Sequence, residues 1–544
     1  MADLSSLLGA QRATGGVSSH EVHADDGTWA ASLRIAESYN ADKPSTWEKE
    51  PETLGAPRVS LAVSTDLKQW NYRYMFEKKG ERSLELDNRL DDLGEVIRQS
   101  FGIASELEDP SIPSQASIYS VGRICSRVHP GAKQEPNVAP ARLNPSDLML
   151  ETSRMLGNGQ RVPLTLDPAC RVRYAWADEA AQNVNVVGLF PGMIVGVKGR
   201  NGSGNRFVAE ELLMPPALPH PATSRTELVQ HQYDETRLAG KPLRVVATSG
   251  PYTDAEDLLF KPWHAFMTHI EAAQPDVVVL VCCALIQMGP FLSASHARVA
   301  AGDLDELPTS IFRHHISQRV SRLMERAPGT MVILVPSTQD VVHAHFAYPQ
   351  PFLDKSNAAL GLPKRVRCLP NPSVFYINEL AIGVSTADVL GDLRREELVQ
   401  RVNPGAEAKP SGAPAAEARD PMMRLARHVL GQRSFYPIFP PSAASMLPLD
   451  LSHSRLCTLD QVTPDMLLLP SPKVKPFLRV VDSTIVVNPG TLAAAQPGAS
   501  PSSFVRMQVD AMPRDALFQG DETESELVTH ELYRRARIDL MHTT

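Results

Sequence analysis

Leu243-Arg-Val-Val-Ala-Thr-Ser249, Pro275-Asp-Val-Val-Val-Leu-Val281 and Met331-Val-Ile-Leu-Val335 are three short apolar runs, each followed by small or turn-forming residues. A strand with one wet face alternates apolar and polar side chains, so a run that is apolar throughout is a strand buried on both faces. Between the runs, periodicity predicts helices over Leu258–Glu271 and Thr309–Arg326. Alternating strand and helix make an α/β domain with helices covering a sheet. Outward from this centre, strands are expected at Asp276–Leu285, Thr330–Val335, Ser373–Ile377, Leu380–Val384, Met466–Leu469 and Ser483–Val487.

The stretch 109–222 has a different period. Ser117–Cys125, Asp147–Ser153, Gln160–Leu166, Gly192–Gly199 and Arg206–Leu213 read as short strands bounded by Pro, Gly or Asn, which suggests a small all-β barrel. Gly199-Arg-Asn-Gly-Ser-Gly-Asn205 looks like a phosphate loop, but no Gly-Lys-Ser/Thr follows, so it reads as a hairpin turn. Ahead of the barrel, 70–108 holds an amphipathic helix, with Leu86, Leu90, Leu93, Ile97 and Phe101 at three- and four-residue steps. Residues 1–69 lack a sustained apolar period and are expected to be a disordered tail. Within the domain 223–544, residues 403–420 carry no bulky apolar side chain and are expected to form a flexible loop.

Composition narrows the chemistry. Of 544 residues 45 are proline, above the usual ~5%, and the formal net charge is −8, which argues against a chain that grips nucleic acid mainly through its own phosphate contacts. Six cysteines without a Cys-x-x-Cys encode neither a disulfide scaffold nor a structural zinc site. The longest apolar stretch, Val277–Ile286, is short of the ~20 residues of a membrane span, so a soluble, intracellular chain with no membrane contact is expected.

Catalytic groups in α/β domains gather after the strands. Calcineurin-like metallophosphoesterases place carboxylates, imidazoles and amides there to hold two metal ions. Here Ser249-Gly250-Pro251-Tyr252-Thr253, Gly289-Pro290-Phe291 and Pro336-Ser337-Thr338-Gln339-Asp340 offer poor ligands. His343-Ala-His345 puts two rings near Asp340, but the other ligands of a two-metal centre are missing. Asp303-Leu-Asp305 reads as a loop before a helix, where acids favour the helix dipole. No catalytic, metal or cofactor site is predicted.

Ser249-Gly-Pro-Tyr-Thr253, Gly289-Pro-Phe-Leu292, Val335-Pro-Ser-Thr-Gln-Asp-Val341, Tyr348-Pro-Gln-Pro-Phe352, Gln432-Arg-Ser-Phe-Tyr-Pro437, Thr463-Pro-Asp465 and Val487-Asn-Pro-Gly490 follow one another in a specific order. With Tyr74-Met-Phe76 and Leu189-Phe-Pro-Gly192, they resemble the B subunits of DNA polymerase α–primase from about Tyr72 onward. The resemblance implies an oligonucleotide-binding-type (OB) barrel joined to a degenerate calcineurin-like phosphoesterase domain, a two-sheet α/β sandwich without activity. It implies a nuclear, non-enzymatic subunit without cofactor that holds the C-terminal region of the catalytic polymerase subunit, reaches primase through the complex, and touches DNA weakly or indirectly. The rival classes are an active metallophosphoesterase and a single-stranded DNA-binding module. For the latter, the barrel offers Tyr119, Phe190 and Phe207 with Arg123, Arg127, Arg154, Arg161, Lys198, Arg200 and Arg206, though strand aromatics are ordinarily core. Cys282–Met288 departs from the family pattern, either as an apolar bulge or as translated non-coding sequence. Candidate partner-binding residues are Tyr348, Phe352, Phe435 and Tyr436, aromatics in loops that adjacent prolines would hold exposed.

Overall fold

The computed structural model describes residues 26–51, 53–127, 142–176, 184–254, 258–281, 297–302, 306–402, 418–443, 445, 447–493, 502–518 and 527–543. The expectations for Cys282–Met288, Gly289–Leu292, Asp303 and Asp305, and for 403–417, fall outside these residues.

The three apolar runs lie side by side, Leu243–Ser249, Val277–Val281 and Met331–Val335, paired in parallel and followed by Arg367–Cys368. Ser503–Val509, Ala536–Thr543 and Leu33–Tyr39 extend the sheet antiparallel on the other side. A second, six-stranded sheet runs in the order Phe477–Val481, Thr484–Asn488, Met466–Leu468, Leu380–Val384, Ser373–Ile377 and Leu61–Val63. Alternation within each run explains why it is apolar throughout. Val277, Val279, Val281, Ile333 and Val335 point between the sheets, meeting Phe375, Ile377, Leu380 and Ile382. Val278, Leu280, Val332 and Leu334 point outward against Trp263, Phe266 and Ile270 of helix Lys261–Ala273 and Val320 and Leu323 of helix Gln318–Arg326. A one-residue register slip would exchange these faces.

Helix Lys261–Ala273 begins later than its periodicity predicts, because Phe260 just before it takes a left-handed backbone at φ 53°. The second predicted helix is broken by a π-helical turn over Phe312–Ser317. Of the expected strand Asp276–Leu285, Val277–Val281 is strand, and 282–285 fall outside the described residues.

Five strands close the barrel, Ser114–Ser126, Leu148–Glu151, Arg161–Tyr174, Phe207–Met214 and Ile194–Asn201 in neighbour order, with the predicted hairpin between the last two in sequence. Helix Glu81–Ser100 lays Leu90, Leu93 and Ile97 on Val121, Ile194 and Leu213 of the barrel wall.

Barrel and α/β domain are knitted together. Val186–Leu189 pairs antiparallel with Leu398–Arg401, and the barrel core runs without a break into Val389, Leu390, Leu425 and Val429 on the outer face of the six-stranded sheet. Gly192, at φ 96°, lies so close to the 437–439 turn that a Cβ would stand 2.2 Å from the Phe439 nitrogen.

Two boundaries change. Residues 33–39 and 61–63, expected to be tail, are the edge strands of the two sheets. They evade recognition because an edge strand half in water needs little apolar alternation, and Leu33-Arg-Ile-Ala-Glu-Ser-Tyr39 has little. At the end of the expected 403–420 loop, Ala418 is buried and the Asp420 carboxylate caps helix Pro421–Gly431, accepting from Met422 N–H at 2.8 Å.

Candidate functional site: the strand ends and the aromatic collar over them

Among the described residues at the strand ends, several polar groups are bonded to the chain's own loops, while Thr248 Oγ1 and Gln350 Oε1 are buried without a hydrogen-bond partner. The Ser249 and Pro251 carbonyls accept from Leu492 and Ala493 N–H at 2.8 and 3.0 Å, and Tyr252 Oη donates to the Val281 carbonyl at 3.0 Å. Gln350 donates from Nε2 to the Ser337 and His345 carbonyls at 3.0 and 2.9 Å. The Asn371 side-chain oxygen accepts from Thr386 N–H at 3.0 Å. Asn488 accepts from Ser471 N–H at 2.9 Å and donates to the Ser471 and Val474 carbonyls, each at 3.0 Å.

The His343–His345 pair is settled by its hydrogen bonds. His343 Nε2 lies 3.0 Å from the Pro351 carbonyl, which can only accept, so Nε2 carries the proton. Its Nδ1 lone pair then accepts from His345 N–H at 3.0 Å. Burial lowers the His343 pKa and, with His343 beside it, pushes His345 down to about 4, so both rings are neutral near pH 7. A neutral imidazole has one lone pair to give a metal, and that of His343 is occupied. Among the described residues, no group of three or more His, Cys, Asp and Glu side chains could hold a metal ion.

A collar of rings covers His345. Tyr72 stacks on His453 with centroids 3.7 Å apart, and its edge meets His345 at 4.8 Å. Tyr74 meets His345 at 4.7 Å, and Tyr72 Oη donates to the Pro349 carbonyl. This pins segment 72–76 onto loop 343–353. Met75 turns the chain with φ 57°, and the turn throws Met75 and Phe76 outward, 87% and 75% exposed. Phe346, next to the collared His345, is 52% exposed.

The expected partner-binding aromatics lie elsewhere. Tyr348, Phe435 and Tyr436 are buried core residues, which corrects the expectation that proline holds them exposed, and Phe352 is half-buried. Tyr348 and Tyr436 direct their hydroxyls to Ser385 Oγ at 3.0 Å and the Asp392 carboxylate at 2.9 Å. The prolines fix loops whose rings point inward.

On the barrel, Phe190 and Phe207 are core, as strand aromatics usually are. The cations largely face carboxylates: Arg161 pairs with Glu151 at 3.3 Å, Arg200 with Glu210 at 3.6 Å, and Arg154 with Asp87. Buried Glu211 gathers Arg171, Arg173 at 3.1 Å and Lys198 at 3.9 Å. A strand-binding groove wants unpaired cations beside exposed rings.

Comparison with known proteins agrees with this layout. Residues 83–215, covering the long helix and the barrel, match the family model for the OB domain of the DNA polymerase alpha B subunit, and residues 245–479 match the family model for the DNA polymerase alpha/epsilon B subunit. The DNA polymerase alpha B subunit of Schizosaccharomyces pombe is 30% identical over 89% of this chain and 75% of its own length. The Saccharomyces cerevisiae protein of the same name is 29% identical over 89% of this chain and 67% of its own length, and the Bos taurus protein 27% identical over 75% and 57%. With a barrel and a two-sheet domain in the places these matches cover, the chain belongs to the family of DNA polymerase alpha B subunits.

Proposed function

We propose that this chain is a non-catalytic accessory subunit of a nuclear polymerase α–primase complex, scaffolding the C-terminal region of the catalytic subunit, and primase through it, for primer synthesis. Its two-sheet domain is taken as a calcineurin-like phosphoesterase fold emptied of chemistry. The observation that carries this is His343, whose only lone pair is committed to His345 N–H. Two-metal hydrolysis needs ligands free to hold both ions, because the ions supply the activated water and stabilise the leaving oxygen. The carboxylates facing the barrel cations favour weak or indirect contact with DNA. A domain seam closed by strand pairing and a shared core suits a rigid scaffold. Purified chain with manganese is expected to hydrolyse neither a phosphomonoester nor a phosphodiester, and to form a stoichiometric complex when co-expressed with the C-terminal region of the catalytic subunit. Manganese-dependent turnover that disappears in His343→Ala, or failure to form that complex, would overturn the proposal.

A further inference from the structure

Arg319, Arg322 and Arg326 recur at steps of three and four along helix Gln318–Arg326, so they share one of its sides. All three reach a single carboxylate, that of Glu271 on helix Lys261–Ala273, at 2.8, 3.8 and 2.8 Å. Glu271 is buried and cancels only one of the three charges. Arg322 and Arg326 stand half in water.

A second basic segment, 354–367, lies alongside and is tied to the first at two points. Ser317 Oγ donates to the Leu360 carbonyl at 2.6 Å, and the Arg365 guanidinium donates to the carbonyl of Pro328, two residues past Arg326. Lys355 Nζ donates to the Val366 carbonyl at 3.1 Å, which brings it beside Arg365 and Arg367. Strand Arg367–Cys368 then pairs with Met331–Val335, the strand that follows the arginine helix. These contacts set the exposed cations of both segments on one stretch of surface at the edge of the seven-stranded sheet.

The charge of this surface is mostly uncancelled. Segments 313–326 and 354–367 hold eight Lys and Arg against two acids, Glu325 and Asp354, in a chain of net charge −8. Asp354 is spent on its own turn, accepting from Ser356 N–H at 2.8 Å and Ser356 Oγ at 2.6 Å. The carbonyls that Lys355 and Arg365 bond to carry no charge, and Lys364 and Arg367 enter no ion pair among the described residues.

What the surface lacks selects its anion. No exposed large apolar side chain falls in either segment, and a protein partner draws most of its affinity from such anchors. Neither segment contains Phe, Tyr or Trp, and single strands are held by bases stacked on rings. A duplex offers closely spaced phosphates whose neutralisation needs cations alone.

We infer that Arg322, Arg326, Lys355, Lys364, Arg365 and Arg367 form a binding surface for the phosphate backbone of duplex nucleic acid, weak and indifferent to sequence. It lies on the α/β domain, not on the barrel. It goes beyond the accessory-subunit function proposed above and does not depend on it.

The test titrates the full chain into a short fluorescent DNA duplex of random sequence and follows anisotropy as salt rises. Affinity is expected in the range of non-specific contacts, about 10⁻⁴–10⁻⁶ M near physiological salt, falling with a log–log slope of about 0.9 per phosphate engaged. Lys364→Glu with Arg367→Glu is the diagnostic pair, since both side chains are exposed and no ion pair of the fold is lost. Two lost phosphate contacts should flatten the slope by about 1.8 and weaken binding at low salt at least about tenfold, with an unchanged melting transition. Should the reversed charges unfold the chain, Lys364→Ala with Arg367→Ala is to show the same flattening with a smaller loss. A parent that binds no duplex at low salt, or a folded pair variant with the parent's affinity and slope, overturns the surface and leaves the accessory-subunit function standing. Oligo-dT or polyglutamate of equal charge that binds the parent more tightly than the duplex, and loses that binding in the pair variant, would assign the surface to single strands or to an acidic protein segment and overturn the proposal.

Discussion

Gln432, at the end of helix Pro421–Gly431, closes both backbone hydrogen bonds of Ile194 in the barrel. Its Oε1 accepts from Ile194 N–H at 2.9 Å and its Nε2 donates to the Ile194 carbonyl at 2.8 Å. One side chain thus stands in for a neighbouring strand across the domain seam, in a buried place where an unmet amide is costly. Gln432→Leu keeps the volume and removes both bonds, so it should lower stability by about 2–4 kcal/mol. Gln432→Glu keeps one acceptor but brings a charge into the seam, and should also destabilise. Urea unfolding of the three proteins checks this, and an unchanged midpoint for Gln432→Leu would mean the seam closes without the amide.

Gly192 tests the same seam by shape. Its φ of 96° and the 2.2 Å that would separate a Cβ from the Phe439 nitrogen leave no room for a side chain. Gly192→Ala should cost more than ~1 kcal/mol, since backbone strain adds to the clash. The expected readout is a lowered melting temperature together with faster proteolysis at the barrel–domain junction. A melting curve and digestion pattern like the parent's would show that the 437–439 turn can retreat cheaply.

One carboxyl at the seam should make the fold acid-sensitive. Burial opposes ionisation of Glu397, yet hydrogen bonds from His428 at 2.8 Å and Arg424 at 2.6 and 2.9 Å hold its carboxyl down at about 2, against an ordinary 4.5. A carboxyl with a depressed folded-state pKa contributes stability that is complete above its unfolded value and is lost as pH falls toward the folded one. The contribution of this carboxyl should therefore be flat above about pH 5 and decline between 4.5 and 2. Glu397→Gln should be less stable at neutral pH and should lose that part of the acid slope. Denaturant midpoints from pH 7 down to 2.5 measure it, and an acid slope equal to the parent's would place the sensitivity in other carboxylates.

How far the sequence is legible depends on what a residue's type can encode. Ser373–Ile377 and Leu380–Val384 fall where expected because a tight turn bounds two strands buried in the sandwich. The barrel strands are legible for the same reason, although Arg161–Tyr174 continues past its expected end at Leu166. Strands Leu33–Tyr39 and Leu61–Val63 are not, because they are stabilised by the sheet edges they cover rather than by their own pattern. For the candidate site, residue type points the wrong way. Tyr348, Phe435 and Tyr436 sit among prolines and look like surface loops, yet their rings fill the core. Met75 and Phe76 look like core and are exposed, because the turn at Met75 and the anchoring of Tyr72 and Tyr74 are tertiary facts. The Tyr74-Met-Phe76 motif supports the family resemblance; its exposure follows only from the collar.

Glu211 offers a test of why the barrel should bind single strands poorly. Its carboxylate is buried and faces Arg171, Arg173 and Lys198, which lie partly or mostly in water. Burial favours its neutral form, but the two arginine hydrogen bonds prevail and lower its pKa, so it is ionised at neutral pH. Glu211→Gln would leave three cations without that counter-charge, beside a Tyr119 ring that Lys198 already approaches at 5.3 Å. Each added phosphate contact to a single strand steepens the salt dependence by about 0.7 in log–log slope, so a gain of roughly 1–2 is expected if two or three cations engage. Fluorescence anisotropy with an oligo-dT strand should show tighter binding by the variant at low salt, converging with the parent as salt rises. A melting curve must accompany it, because the variant also gives up buried ion pairs. Equal affinity and equal slope in a folded variant would show that the barrel's geometry, and not its neutralised charge, keeps nucleic acid away.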